Sequence, residues 1–197
     1  TEVIQLLDVI KHSGKKASFL VKNLMTVSKD ETHLFLKINL NQVIEELLVI
    51  VKSTIPDNIK ILFEKYSGEC FITGNKSQME QVLLNLIVNA SEAIQGAGDN
   101  NINRFISVSI EKTGTMPETE SQVLSPMWHL SVKDNGPGIE ALNLKKIFDP
   151  FYTTKTEGNG LGLAVVQNII IRHGGIIEVH SEQGFGTAFD IYLPACN

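Results

Sequence analysis

The chain has 197 residues, 43% hydrophobic and 20% charged, the make-up of one ordinary globular domain with a small appendage. A net charge of −5 without a long run of Lys and Arg argues against a nucleic-acid-binding face, and no window reaches the roughly 18 uninterrupted apolar residues that span a bilayer. Cys70 and Cys196 stand far apart with no Cys-x-x-Cys pair, so neither a metal finger nor a disulfide framework is indicated; Thr1-Glu2-Val3 does not begin a signal peptide, and a soluble protein of the reducing cytoplasm is expected.

Residues 1–30 are predicted as one long helix, with Ile4, Leu7, Ile10, Ala17, Leu20, Leu24 and Val27 returning every three or four positions and only Gly14 weakening the pattern. A boundary falls near 30–37. Beyond it we expect a short strand at Ile38 and Leu40, a helix capped by Asn41 and running through Lys52, a turn at Pro56-Asp57-Asn58 and an alternating strand over 59–66. A strand around Cys70–Thr73 leads into a helix whose start is marked by Ser77 and Glu80, the spacing of a capping box, and which runs to about Gln95. Alternating runs at 106–112 and 128–133 flank the polar stretch TGTMPETESQVLSP and predict a hairpin with a long mobile loop. A glycine-rich loop, a helix over 161–173 and strands at 176–181 and 187–193, joined across EQGFG, complete the chain. The order predicts an α+β fold, a two-layer sandwich in which a mixed, mostly antiparallel sheet is covered by helices on one face.

Three features carry chemistry. In SQMEQVLLNLIVNASEAI the residues Gln78, Gln81, Asn85, Asn89 and Glu92 recur at intervals of three and four and form one stripe. Such a stripe is ordinarily a solvent face, but solvent faces carry Lys and Glu, whereas neutral amides among aliphatics suit a cleft. An Asn oxygen is a neutral hard ligand, suited to a Mg²⁺ ion that binds mostly through a nucleotide's phosphates. In DNGPGI, Asp134 at a strand end fixes a carboxylate, and Gly136 and Gly138 leave room for a planar ligand; the plain alternative is a tight turn. In EGNGLGLAVV, Gly158, Gly160 and Gly162 open a helix whose N-terminus could receive phosphate oxygens, although neither a Rossmann nor a P-loop pattern is present. Between the glycine loops, KIFDPFYTTK reads as a lid, with exposed aromatics Phe148, Phe151 and Tyr152 beside Thr153, Thr154 and Lys155.

Over about residues 37–195 this ordered set resembles the ATP-binding domain of the histidine kinases, in the family shared with heat-shock chaperone ATPases, type II topoisomerases and MutL-type repair proteins. QVLLNLIVNASEA is similar to the asparagine box, DNGPGI and GNGLGL to the first and second glycine boxes, FDPFYTTK to the phenylalanine box, and GFGTAF to the last glycine box. The nitrogen-regulation type of sensor kinase is the nearest in pattern. The resemblance implies residues 1–32 as the second helix of a dimerisation hairpin and 37–197 as the ATP-binding catalytic domain, with an adenine between sheet and helices. By the same likeness Asp134 would accept from the adenine amine, with Gly136, Gly138 and Ile139 beside the ring and Thr187 nearby, directly or through water. Asn89 would coordinate Mg²⁺ with Asn85 alongside; Gly158, Gly160, Leu161, Gly162 and Leu163 would offer phosphate-facing backbone; Phe148, Tyr152, Thr153 and Thr154 would line the lid; Lys155 would meet the terminal phosphate.

Two departures from the pattern matter. ATP-hydrolysing relatives carry a water-activating Glu four residues before the metal-binding Asn; this chain has Asn85, and an amide is no general base. Many sensor kinases carry Lys or Arg one turn beyond that Asn; this chain has Glu92, which puts more weight on Lys155. None of the five histidines, His12, His33, His129, His173 and His180, has the surroundings of the family's phosphoacceptor, so the acceptor helix is expected to lie outside this chain. The expected function is an ATP-dependent histidine kinase of a two-component system. Its expected partners are a histidine-bearing dimerisation helix and a response-regulator receiver domain, in a homodimeric full-length protein that is cytoplasmic or the cytoplasmic part of a membrane-anchored sensor. The alternatives are a hydrolysing ATPase clamp, a nucleotide-binding regulatory module, or a serine kinase of the same fold.

Overall fold

Period-two patterning sends Ile106, Val108 and Ile110 of one run and Trp128, Leu130 and Val132 of the next to a common face, where all six are buried. The computed structural model describes residues 34–52, 54–96, 103–114, 126–155 and 158–196. The chain divides into units Thr1–Thr32 and His33–Asn197. The predicted 1–30 helix, His12, His33 and most of the 113–127 loop lie outside the described residues.

The elements are β1 (Leu36–Asn39), α1 (Leu40–Val51), β2 (Lys60–Glu64), β3 (Phe71–Gly74), α2 (Lys76–Gly96), β4 (Phe105–Thr113), β5 (Met127–Asp134), the short α3 (Ala141–Leu144), α4 (Gly162–Arg172), β6 (Ile176–Glu182) and β7 (Gly186–Pro194). A five-stranded sheet has the order β2-β4-β5-β7-β6, parallel between β2 and β4 and antiparallel elsewhere. This is the expected mixed, mostly antiparallel sheet. β1 and β3 form a separate antiparallel pair. The Trp128 indole joins the two sheets by donating to the Phe71 carbonyl at 2.9 Å.

The apolar stripes of α1 (Leu40, Val43, Ile44, Leu47), α2 (Val82, Leu83, Leu86, Ile87) and α4 (Val165, Val166, Ile169, Ile170) share one core with the sheet. Each such side chain contributes roughly 1.5–3 kcal/mol on burial. Both helix starts differ from expectation. Asn39, not Asn41, caps α1, its side chain accepting from Asn41 N–H at 3.0 Å. The core needs Leu40 as the first helical residue, fully buried, and Asn41 is turned inward, its amide donating to the Tyr66 and Gly68 carbonyls at 3.0 Å each. At α2 the capping oxygen belongs to Asn75, which accepts from Gln78 N–H at 3.0 Å. Ser77 falls inside the first turn, and Glu80 lies 3.9 Å from Lys76, so the expected capping box is not formed.

Among the histidines, His129 on the sheet's outer face lies between Glu111 (2.7 Å) and Asp190 (2.8 Å) and stacks on Tyr192. His173, the C-cap residue of α4, is buried. Its Nδ1 sits 2.8 Å from the Ile169 carbonyl and its Nε2 accepts from Asn75 N–H at 3.1 Å, which ties the end of α4 to the start of α2. Burial holds its pKa below the usual value of 6.5. A lowered histidine pKa contributes stability that is full above pH 6.5 and is lost as pH falls through the folded value. His173→Ala, by leaving buried groups unpaired, is expected to cost about 1–3 kcal/mol in urea unfolding at pH 8. The gap between wild type and variant should narrow as pH falls below 6.5; a constant gap would show that His173 does not titrate on unfolding.

Candidate functional site

β5 alternates to its very end, so the core-facing register that holds Trp128, Leu130 and Val132 also holds Asp134. A carboxylate therefore stands at a core position, 5% exposed. It accepts from Gly136 N–H at 2.7 Å and from the backbone N–H of Thr187, its cross-strand partner on β7. Burial pushes its carboxyl above the usual carboxylate range, against the pull of those two N–H groups and of the Lys155 charge. Thr187 is likewise buried, and Ser181 on β6 faces it in the same row. The sequence reading missed Ser181, whose signal is the polar residue closing the alternation Ile177, Val179, Ser181; its place beside Thr187 needs the strand register.

The loop after β5 lies on the β6–β7 hairpin. Gly184 N–H donates to the Pro137 carbonyl at 2.8 Å, and Ile139 N–H donates to Ser181 Oγ at 2.8 Å. Gly138, at φ +72°, has no room for a side chain because a Cβ there would meet the Glu182 carbonyl oxygen at 2.1 Å. On its Cβ side Gly138 makes room for the hairpin backbone, and Gly136 for the Asp134 carboxylate, 2.8 Å from where a Cβ would stand.

The amide stripe of α2 is not a solvent face. Gln78 and Asn85 are buried, Asn89 is half-buried and Glu92 exposed, so the stripe runs from core to surface. Among the described residues Asn85 Nδ2 is a buried donor without a hydrogen-bond partner, a state that costs roughly 1–3 kcal/mol unless something else fills it. Opposite stands the start of α4: a Cβ on Gly162 would lie 3.8 Å from both Asn85 Oδ1 and Asn89 Nδ2. Among the described residues no side chain caps α4, and the first N–H groups of any helix lack intrahelical acceptors. The helix N-terminus, with its partial positive charge, therefore adjoins the two amides, Asn89 presenting Nδ2 and Asn85 its Oδ1, and helix N–H groups of this kind suit an anion.

The other glycines serve the lid. Gly160, at φ +64°, lets the chain cross the backbone of Phe151, whose N–H donates to the Gly160 carbonyl at 2.9 Å and whose own φ is +67°. A Cβ on Gly158 would meet Thr153 Oγ1 at 2.4 Å. Of the predicted exposed aromatics only Phe151 is fully out, at 72%; Phe148 turns inward, edge-on to Phe189 with ring centres 6.4 Å apart, and Tyr152 is half-buried and donates to Asn143 Oδ1 at 2.6 Å. The Leu161 side chain is buried, and that of Leu163 is partly buried against the core. Thr153 and Thr154 are exposed. Lys155 Nζ lies 2.6 Å from Glu92 and 3.4 Å from Asn89 Oδ1, so the residue that departs from the family pattern is the one holding the lid's cation. Both partners are largely exposed, which makes the pair weak and readily broken.

A family model for histidine kinase-, DNA gyrase B-, and HSP90-like ATPases matches residues 74–197, spanning α2, the Asp134 loop, the lid and the last hairpin. The chain belongs to this family. Within this ATPase family it is similar to sensor histidine kinase ZraS of Escherichia coli (strain K12), 36% identical over 98% of this chain and 38% of ZraS, and to sensory histidine kinase/phosphatase NtrB of Rhizobium leguminosarum bv. phaseoli, 38% identical over 80% of this chain and 41% of NtrB. The chain thus spans about two fifths of these relatives. Among solved structures it is similar to histidine kinase ThkA. The ThkA catalytic domain is 32% identical, with TM-score 0.64 over 81% of this chain and 95% of that one. ThkA in complex with response regulator protein TrrA is 27% identical, with TM-score 0.69 over 97% of this chain and 51% of that one. The chain therefore carries an ATP-binding catalytic domain of the histidine-kinase branch, and the similarity to NtrB fits the nitrogen-regulation type.

Asp134 gives this ATPase-family site a measurable signature. A raised carboxyl pKa contributes stability below 3.8 that is lost as pH rises through the folded value, so at neutral pH the charge is a load on the fold. Asp134→Asn is expected to raise the Tm of the nucleotide-free protein at pH 7, with the gain shrinking as pH approaches 3.8. A lower Tm in the variant would contradict the strained charge.

Proposed function

We propose that this domain binds Mg-ATP and transfers the terminal phosphoryl to a histidine imidazole outside this chain, for relay to an aspartate of a response regulator. Asp134 and Thr187 receive the adenine amine, while Asn85, Asn89 and the start of α4 receive the triphosphate. Mg²⁺, when bound, supplies charge neutralisation between the phosphates. Asn89 Oδ1 fits that ion: it is a neutral oxygen that already faces the Lys155 ammonium. On this reading Asn89 Oδ1 is the protein oxygen that would hold the ion.

The observation that carries the reading is Asn85. In the buried place where a hydrolysing enzyme needs a proton acceptor, this chain has an amide with an unpaired N–H donor. Such a group can hold a phosphate oxygen and cannot deprotonate water. Phosphoryl transfer asks little else of a protein than positioning and charge stabilisation, because its transition state is loose. The terminal P–O bond to the ADP leaving group breaks as the imidazole nitrogen bonds to phosphorus. Lys155, released from Glu92 and Asn89, follows the terminal phosphate, and Glu92 is the resting partner that keeps it beside the site. The complex of the relative ThkA with its response regulator supports a receiver domain as downstream partner. ATP use and the cysteine usage support a cytoplasmic location, and among the described residues no helix is long and apolar enough to cross a membrane.

Incubation with γ-labelled ATP and a separately made dimerisation hairpin tests this. Acid-labile, base-stable label on the hairpin is expected, falling at least tenfold with Asn89→Ala, a loss of the size of one charge-assisted contact. Acid-stable label would indicate a serine kinase, and multiple-turnover phosphate release without labelled hairpin would indicate a hydrolase.

A further inference from the structure

On three neighbouring strands the core-facing register ends in a polar residue at the same level: Ser181 on β6 stands opposite Thr187 on β7, which stands opposite Asp134 on β5. A hydroxyl has one proton and two lone pairs. At Ser181 all three are committed. Its proton goes to the Gly186 carbonyl, 3.0 Å away, since a carbonyl oxygen can only accept. One lone pair takes the Ile139 N–H at 2.8 Å. The remaining contact, 2.9 Å to Thr187 Oγ1, is therefore donated by Thr187. That uses the only proton of the Thr187 hydroxyl and leaves its oxygen able to offer lone pairs alone. Asp134 beside it, ionised, is also purely an acceptor.

We infer that Ser181 is a positioning residue that fixes the polarity of base recognition: by taking the Thr187 proton it makes Thr187 an acceptor, so that the row selects a purine with an amine at position six over one with a carbonyl there. This rests on the proposed placement of the adenine against Asp134 and Thr187. A carbonyl oxygen brought to this row meets two acceptors and no hydroxyl donor, and so loses its hydrogen bond to water without gaining one there. Without Ser181 the Thr187 hydroxyl is free to rotate and donate, which removes part of the rejection. Ser181 touches no substrate in this scheme and acts only through Thr187 and the Ile139 N–H.

The test is equilibrium binding of Mg-ATP and Mg-ITP to the full chain, since the two ligands differ only around position six. Wild type is expected to prefer ATP, and Ser181→Ala to reduce the ATP-to-ITP ratio about tenfold, the worth of one mismatched buried hydrogen bond. Ser181→Thr, which keeps the hydroxyl, should retain the wild-type ratio. A merely structural role would weaken both ligands together, so an unchanged ratio in Ser181→Ala, or a collapsed ratio in Ser181→Thr, overturns the inference while leaving the adenine placement standing. Equal binding of ATP and ITP by wild type would overturn the placement itself and this inference with it. Should Ser181→Ala not fold, Ser181→Cys keeps the shape with a weaker acceptor and donor. It should lower the ratio by an intermediate factor, and an unchanged ratio there counts against the inference equally.

Discussion

A single buried charge organises one end of this molecule. Asp134 sits in the core-facing register of its strand, where an apolar residue would stabilise the fold and a carboxylate has to be held by hydrogen bonds. The backbone is arranged to hold it. Gly136 and Thr187 supply two N–H groups, and Gly186, at φ +105°, lets the β7 strand start so close that a Cβ there would meet the Asp134 carbonyl at 2.1 Å. The following loop is in turn fastened to the last hairpin through Pro137 and Ile139. A fold that keeps such a charge in its core carries a standing cost, which the proposed function explains as the means of holding an amine-bearing base.

The opposite end of the site has the complementary polarity. Asn85 Nδ2 has no partner, α4 begins without a side-chain cap, and Lys155 lies beside Asn89. One end offers acceptors, and the other offers helix N–H groups, amides and a lysine ammonium that the Glu92 carboxylate holds at rest. An adenine nucleotide has the matching asymmetry, an amine at one extremity and polyanionic phosphates at the other. Helix α2 bridges the two ends: Asn85 and Asn89 lie on it, and so does Ile94, whose Cγ1 is 3.5 Å from the place of a Cβ on Gly136.

Much of this was legible in the sequence because it depends on local spacing. The three- and four-residue interval of Asn85 and Asn89, the strand-terminal Asp134 and the glycine run at 158–162 are all written within single elements, and the five-stranded sheet follows from period-two runs. What was misread depends on partners far away in the chain. The helix starts shifted to Asn39 and Asn75 because the core chose Leu40 and Met79 as the first buried apolar positions, not because the capping chemistry was unusual. Phe148 looked exposed in a polar loop, yet Phe189 on a distant strand covers it. That Gly138 also admits the carbonyl of Glu182 depends on the packing of a distant hairpin. Ser181 escaped notice because its importance lies in cross-strand register, which no single segment displays.

The central claim is that the buried carboxylate reads the base while the α2 and α4 groups read the phosphates. Calorimetric titration of wild type and Asp134→Asn with ATP and with inorganic tripolyphosphate, both with Mg²⁺, separates the two ends most directly. The account predicts ATP binding weakened at least thirtyfold, roughly the worth of a lost charged hydrogen bond, with tripolyphosphate affinity unchanged. Equal weakening of both ligands, or of neither, would contradict it.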